Sequence, residues 1–177
     1  LPSELNLIGR QQHLRVLSFG QNSLSGTLPR WLSQSPNLHL LDISENRFHG
    51  NLPSLSGLHF LVNATFHENL FSGTLKSLDT EGDWFTPDRS STSALRTLTL
   101  HSNHLTSTIP TSMVFPDQMK TLTLAYNELQ GRISHSMFNT QSQGVENQSR
   151  LFYWQGNRLS CALPEWSNEK VEGSSLV

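Results

Sequence analysis

The chain has 177 residues, a formal net charge of −2 and only 15% charged residues. Its length sets one domain, and its charge excludes a protein that holds nucleic acid by bulk electrostatics. No apolar run reaches the roughly 18–20 residues that cross a bilayer, while Ser, Thr, Asn and Gln are plentiful, as suits a secreted or surface protein.

The sequence starts at Leu1 with no initiator Met and no signal-peptide pattern, so we expect a fragment or a processed piece. Residues 1–13 read as the tail of a repeat, with Leu1-Pro2 matching later Leu-Pro pairs. The first whole unit is Leu14–Pro29, LRVLSFGQNSLSGTLP, with Leu14, Leu17 and Phe19 before Asn22 and Leu24, Gly26, Leu28 and Pro29 after it. The second follows 24 residues on, with Leu38, Leu41, Ile43, Asn46, Phe48, Gly50, Leu52 and Pro53. The third has Leu61, Ala64, Phe66, Asn69, Phe71, Gly73 and Leu75, and its small Ala64 predicts a local underfill of the core. The fourth, centred on Asn103, has Leu95, Leu98, Leu100, Leu105, Ile109 and Pro110, with Ser107 in the glycine place. It comes 34 residues after Asn69, and the extra length lies in 76–94, an acidic, Ser/Thr-rich loop around Trp84-Phe85. The aromatic pair is expected to fold back onto the core, because exposed aromatics cost solubility. The fifth unit has Met119, Leu122, Leu124, Asn127, Leu129, Gly131 and Ile133, with Ser134 for Pro. The sixth has Phe152, Trp154, Asn157, Leu159, Cys161, Leu163 and Pro164, after a smaller insertion near 139–149. The repeat domain therefore spans 1–166, and 167–177 is a polar tail or linker.

Neither a helix nor a sheet has a period near 24, so the repeat marks a stacked coil. The order L-x-x-L-x-L-x-x-N-x-L at a period of about 20–29 residues is the leucine-rich repeat signature. The fold expected is an α/β right-handed leucine-rich repeat solenoid. A parallel sheet lines its concave face, and irregular turns with short 3-10 or α segments, near Pro29–Ser33 and Thr111–Phe115, lie on the convex face. Each L-x-L triplet is expected as a short strand with leucines inward. The asparagine ladder of Asn22, Asn46, Asn69, Asn103, Asn127 and Asn157 should satisfy backbone groups of its own and neighbouring turns. The glycine permits a bend, and Pro starts the return path. One turn cannot bury its apolar face alone, so stacking makes the core.

The spacing together with SGTLP (Ser25–Pro29), HGNLP (His49–Pro53) and FSGTL (Phe71–Leu75) resembles the plant-type repeat L-x-x-L-x-L-x-x-N-x-L-x-G-x-[IL]-P. That pattern belongs to plant receptor-like kinases, receptor-like proteins and polygalacturonase inhibitors. Kinetoplastid surface antigens are similar, often with Trp just after Leu-Pro, as Trp31 and Trp166 stand here. The resemblance covers Leu14 to Trp166. It implies an extracellular or cell-surface module that binds a protein, peptide or glycan, with membrane attachment only through a segment outside this chain. A structural surface-coat antigen and an inhibitor of a secreted hydrolase are the alternatives. Such families often cap the solenoid with paired cysteines. Cys161 in GNRLSCALPEW resembles a terminal cap, but it is the only cysteine, and we expect it to pack in a turn.

In a solenoid the outward positions form columns. Seven before each Asn stand Arg15, His39, Val62, Arg96, Lys120 and Arg150, a mostly basic edge. Four before stand Ser18, Asp42, Thr65, Thr99, Thr123 and Tyr153, and two before Gly20, Ser44, His67, His101, Ala125 and Gln155. Just before the asparagines stand Gln21, Glu45, Glu68, Ser102, Tyr126 and Gly156, acidic in the early repeats. Repeat proteins bind through such faces, and Tyr and Arg are frequent anchors. The candidate ligand-binding residues are Arg15, Asp42, His67, Arg96, Thr99, His101, Lys120, Thr123, Tyr126 and Tyr153. His67 and His101 become neighbours if the long loop leaves the stack intact, and they are expected as solvated histidines with no metal. Asn63-Ala64-Thr65 and Asn147-Gln148-Ser149 are glycosylation sequons. No phosphate loop, zinc-protease motif or nucleophile elbow is present, and Asp79, Glu81, Asp83 and Asp88 do not match a calcium loop. Neither an enzyme nor a cofactor is expected.

Overall fold

The computed structural model describes residues 13–53, 55, 57–75, 94–109, 118–133 and 150–160. In chain order the strands are β1 (Val16–Ser18), β2 (Ser25–Gly26), β3 (Leu40–Asp42), β4 (Arg47–Asn51), β5 (Asn63–Thr65), β6 (Leu70–Gly73), β7 (Thr97–Thr99), β8 (His104–Thr108), β9 (Thr121–Thr123), β10 (Glu128–Gly131), β11 (Leu151–Tyr153) and β12 (Arg158–Leu159). The odd strands form one parallel sheet in sequence order, and the even strands form a second. The first lines the concave face.

Register follows the repeat. Leu17, Leu41, Ala64, Leu98, Leu122 and Phe152 are successive partners across the first sheet. Alternation along each strand sends these side chains inward and their two neighbours outward. The strand is therefore x-L-x, one residue earlier than the L-x-L triplet expected. The second leucine of that triplet lies past the strand, although its N–H still pairs with the next turn, as Phe19 N donates to Asp42 O at 2.7 Å.

The second sheet, just beyond the asparagines, is an addition to the one expected on the concave face. Turns stack at strand spacing, so the chain leaving one asparagine runs alongside the chain leaving the next and pairs with it. Phe48, Phe71, Leu105 and Leu129 face inward from this sheet. Between them and the first sheet lies a core that includes Leu41, Ile43, Phe66, Leu98 and Leu124. In the third turn, where Ala64 is small, Phe66 packs edge-on against Phe71 with ring centroids 5.9 Å apart. The described helix is one 3-10 segment, Arg30–Gln34, entered from the extended Pro29 and burying Leu32. The expected segment near Thr111–Phe115 lies outside the described residues. So do the loop with Trp84-Phe85, the insertion with Asn147, Cys161, Trp166 and the polar tail.

The asparagines join the turns. Asn103 is buried; its Nδ2 donates to the carbonyls of Leu100 and His101 in its own turn and of Phe66 in the turn before, while its Oδ1 accepts from Phe71 N. Asn46, Asn69, Asn127 and Asn157 repeat this pattern. Asn22 is exposed, and among the described residues its Nδ2 donates to Phe19 O and Gly20 O.

A second tie lies on the concave face. Asp42 accepts from Ser18 Oγ at 3.4 Å, Ser44 Oγ at 2.7 Å, Ser44 N at 3.1 Å and Thr65 Oγ1 at 2.6 Å, so one carboxylate holds three turns. Burial acts to raise its pKa, but the hydrogen bonds from Thr65, Ser44 and Ser18 outweigh it and hold the carboxyl below 3.8.

These contacts generate three measurements. Asn103→Ala strands one N–H and three carbonyls and should destabilise by about 3 kcal/mol in chemical denaturation, whereas Asn22→Ala, at an exposed position, should cost about 1 kcal/mol or less; a loss of about 1 kcal/mol or less for Asn103→Ala would mean its inter-turn bonds contribute nothing. Ser107 occupies the glycine place with φ 115, a conformation costly for any residue with a Cβ. Ser107→Gly should raise stability by about 1 kcal/mol, read as a higher denaturation midpoint. Because the folded Asp42 pKa is depressed, its stabilisation is present above about pH 4 and is lost as pH falls through the lower folded value. Asp42→Asn should flatten the stability–pH curve below pH ~4, and a difference curve without that slope would remove the assignment.

Candidate functional site

The concave face is built from the outward residues of the odd strands and the residues flanking them. Ser18, Asp42, Thr65, Thr99, Thr123 and Tyr153 are in register down its centre. The basic column is held in line by the backbone: His39 N donates to Arg15 O, Val62 N to His39 O, Arg96 N to Val62 O and Lys120 N to Arg96 O. Arg15, Arg96 and Lys120 are exposed. Arg96 and Lys120 thus share one edge on consecutive turns, as the spacing indicated.

The opposite edge carries a local conformation that spacing alone did not reveal. Gln21, Glu45, Glu68, Ser102 and Tyr126 all have φ between 52 and 57. Each sits just before an asparagine, where the backbone must turn sharply out of the strand. The sixth turn has Gly156 there, with φ 71. A Cβ at 156 would lie 2.5 Å from Tyr126 Cδ1, so the glycine also makes room for that ring. Tyr126 remains 59% exposed and Tyr153 37% exposed, which leaves both rings available at one end of the face. Gln21 Nε2 donates to Glu45 Oε1 at 3.0 Å along the same edge.

One column was missed. Val16, Leu40, Asn63, Thr97, Thr121 and Leu151 are in register and point outward beside the centre column. Placing the strand at L-x-L hid it; the first x of x-L-x was the available signal. Its ends, Val16 and Leu151, are apolar and exposed. Asn63, the first sequon acceptor, lies in this column, and the hydroxyl of its Thr65 is already bound to Asp42.

At the middle of the face the third and fourth turns bring two histidines together. The rings of His67 and His101 stack with centroids 4.5 Å apart and planes 11° apart. His67 Nδ1 lies 3.0 Å from Thr99 Oγ1, and His101 Nδ1 lies 2.9 Å from Thr123 Oγ1. Thr99 and Thr123 thus act as fixed posts on the following strand. Burial, and then the neighbouring His67, push the His101 pKa below its ordinary value, while Glu68 acts in the opposite sense.

The Leucine Rich Repeat family profile matches residues 13–35 and 94–114. Receptor-like protein 7 of Arabidopsis thaliana is 32% identical over 126 residues, which is 71% of this chain and 12% of that protein. Receptor-like protein 18 of Arabidopsis thaliana is 30% identical over 173 residues, 94% of this chain and 18% of that protein. The chain therefore spans less than a fifth of these relatives. Among solved structures, the ectodomain of the plant membrane receptor kinase GASSHO1/SCHENGEN3 from Arabidopsis thaliana, in complex with CASPARIAN STRIP INTEGRITY FACTOR 2, superposes with a TM-score of 0.64 at 26% identity. That match covers 86% of this chain and 16% of that one. With two parallel sheets, a recurring buried asparagine and these relatives, the chain belongs to the plant-type leucine-rich repeat proteins.

Proposed function

We propose that the chain is part of an extracellular or cell-surface receptor-like module and recognises a protein or peptide through its concave face. The observation that carries this is the surface itself: a basic edge of Arg96 and Lys120, a hydroxyl-rich centre, and Tyr126 and Tyr153 exposed at one end. A peptide laid along such a face meets the exposed Arg96 and Lys120 on consecutive turns and two aromatic anchors. Aromatic and Arg side chains of this kind supply most of the binding energy at interfaces. The similar GASSHO1/SCHENGEN3 ectodomain was solved in complex with CASPARIAN STRIP INTEGRITY FACTOR 2, which supports the protein-or-peptide class over a glycan. Among the described residues no helix is long and apolar enough to cross a membrane; membrane attachment is proposed only through a segment outside this chain.

The test is selection of binders to the 177-residue chain from a displayed peptide library, with a glycan array beside it. Affinities for the selected peptides are then measured against the Arg96→Ala, Tyr126→Ala, Tyr153→Ala triple variant. Binding should weaken by about tenfold or more. Unchanged affinity, or binders found only on the glycan array, would overturn the proposal.

A further inference from the structure

We propose that His67, Glu68 and His101 form a binding site for one divalent transition-metal ion of the zinc type. Each of the three offers one ligand atom, and these atoms lie within 4.8 Å of one another. The donor set is two imidazoles and one carboxylate, which suits zinc or copper and not the all-oxygen cages of calcium or magnesium.

The geometry is partly prepared. Both rings have Nδ1 committed to a threonine hydroxyl of the following strand, so Nε2 is the nitrogen left on each ring for a metal. Ligating histidines are characteristically held this way, through the ring nitrogen that does not touch the ion. Glu68 follows His67 directly, and its φ of 53 belongs to the sharp turn before Asn69. Its carboxylate is exposed and makes no hydrogen bond or ion pair with the described residues. Three metal bonds of about 2.0–2.2 Å at tetrahedral angles need ligand atoms about 3.3 Å apart, so from separations within 4.8 Å the set must close by up to about 1.5 Å. The rings are nearly parallel, and their lone pairs must converge, so binding splays the stack while the threonine bonds act as pivots.

The site joins the third and fourth turns, where Asn69 and Asn103 are 34 residues apart instead of 24. A metal there bridges the two turns that the longest connection separates. With three protein ligands it retains at least one open coordination position on the concave face. This inference stands independently of the proposed peptide recognition.

The experiment is calorimetric titration of the 177-residue chain with zinc chloride, with copper and calcium chlorides as parallel arms and thermal unfolding as a second readout. One zinc ion per chain is expected, with a higher Tm in its presence and no response to calcium. His67→Gln with His101→Gln should abolish binding, and Glu68→Gln should weaken it. Thr99→Val with Thr123→Val, which keeps all three ligands, should weaken it by about tenfold or more. Absence of saturable zinc binding to the parent chain would overturn the site, as would binding that the Glu68→Gln and His67→Gln variants leave unchanged.

Discussion

A buried amide that bonds to two turns at once is the constraint from which the rest of this structure follows. Each inner asparagine donates to carbonyls of its own turn and of the preceding one, and accepts the N–H two residues beyond the preceding asparagine. A peptide group buried without a partner costs about 1–3 kcal/mol, so each turn is stable only with another in contact. Stacking distance, strand register and the positive φ just before each asparagine are all consequences of meeting this one requirement.

Because register is carried by backbone and amide bonds, it is indifferent to how much chain lies between turns. The connection from the third to the fourth turn is the longest, yet β5 and β7 pair as regularly as β3 and β5, with Ala64 opposite Leu98 as Leu41 is opposite Ala64. Loop-closure entropy grows only logarithmically with length, so a longer connection is tolerated while the sheet is preserved. This brings His67 and His101 face to face and puts Arg96 next to Lys120 on the basic edge.

The concave face is accordingly a lattice with rigid spacing and free choice of side chain. Its early turns spend their polar groups on each other, through Asp42 with Ser18, Ser44 and Thr65. Its middle turns do the same through Thr99 and Thr123 with the two histidines, and its last turns carry the exposed Tyr126 and Tyr153. The two exposed tyrosines at one end give the face a direction.

The order of leucines and asparagines by itself determined that the chain is a stacked coil, that its leucines and asparagines are the buried ladder and that the residues four and seven before each asparagine line up in columns, because those depend only on the period. It also marked Ser107 as an irregular member of the glycine column. Tertiary structure alone decided the second sheet, since pairing beyond the asparagines depends on turns lying at strand spacing, which no single repeat encodes. It decided that strands begin one residue before the first leucine of the triplet, exposing the column from Val16 to Leu151. It also decided that the two histidines stack on threonine posts, because ring orientation depends on hydrogen bonds to the next strand, and neighbours across turns are invisible to the spacing within one.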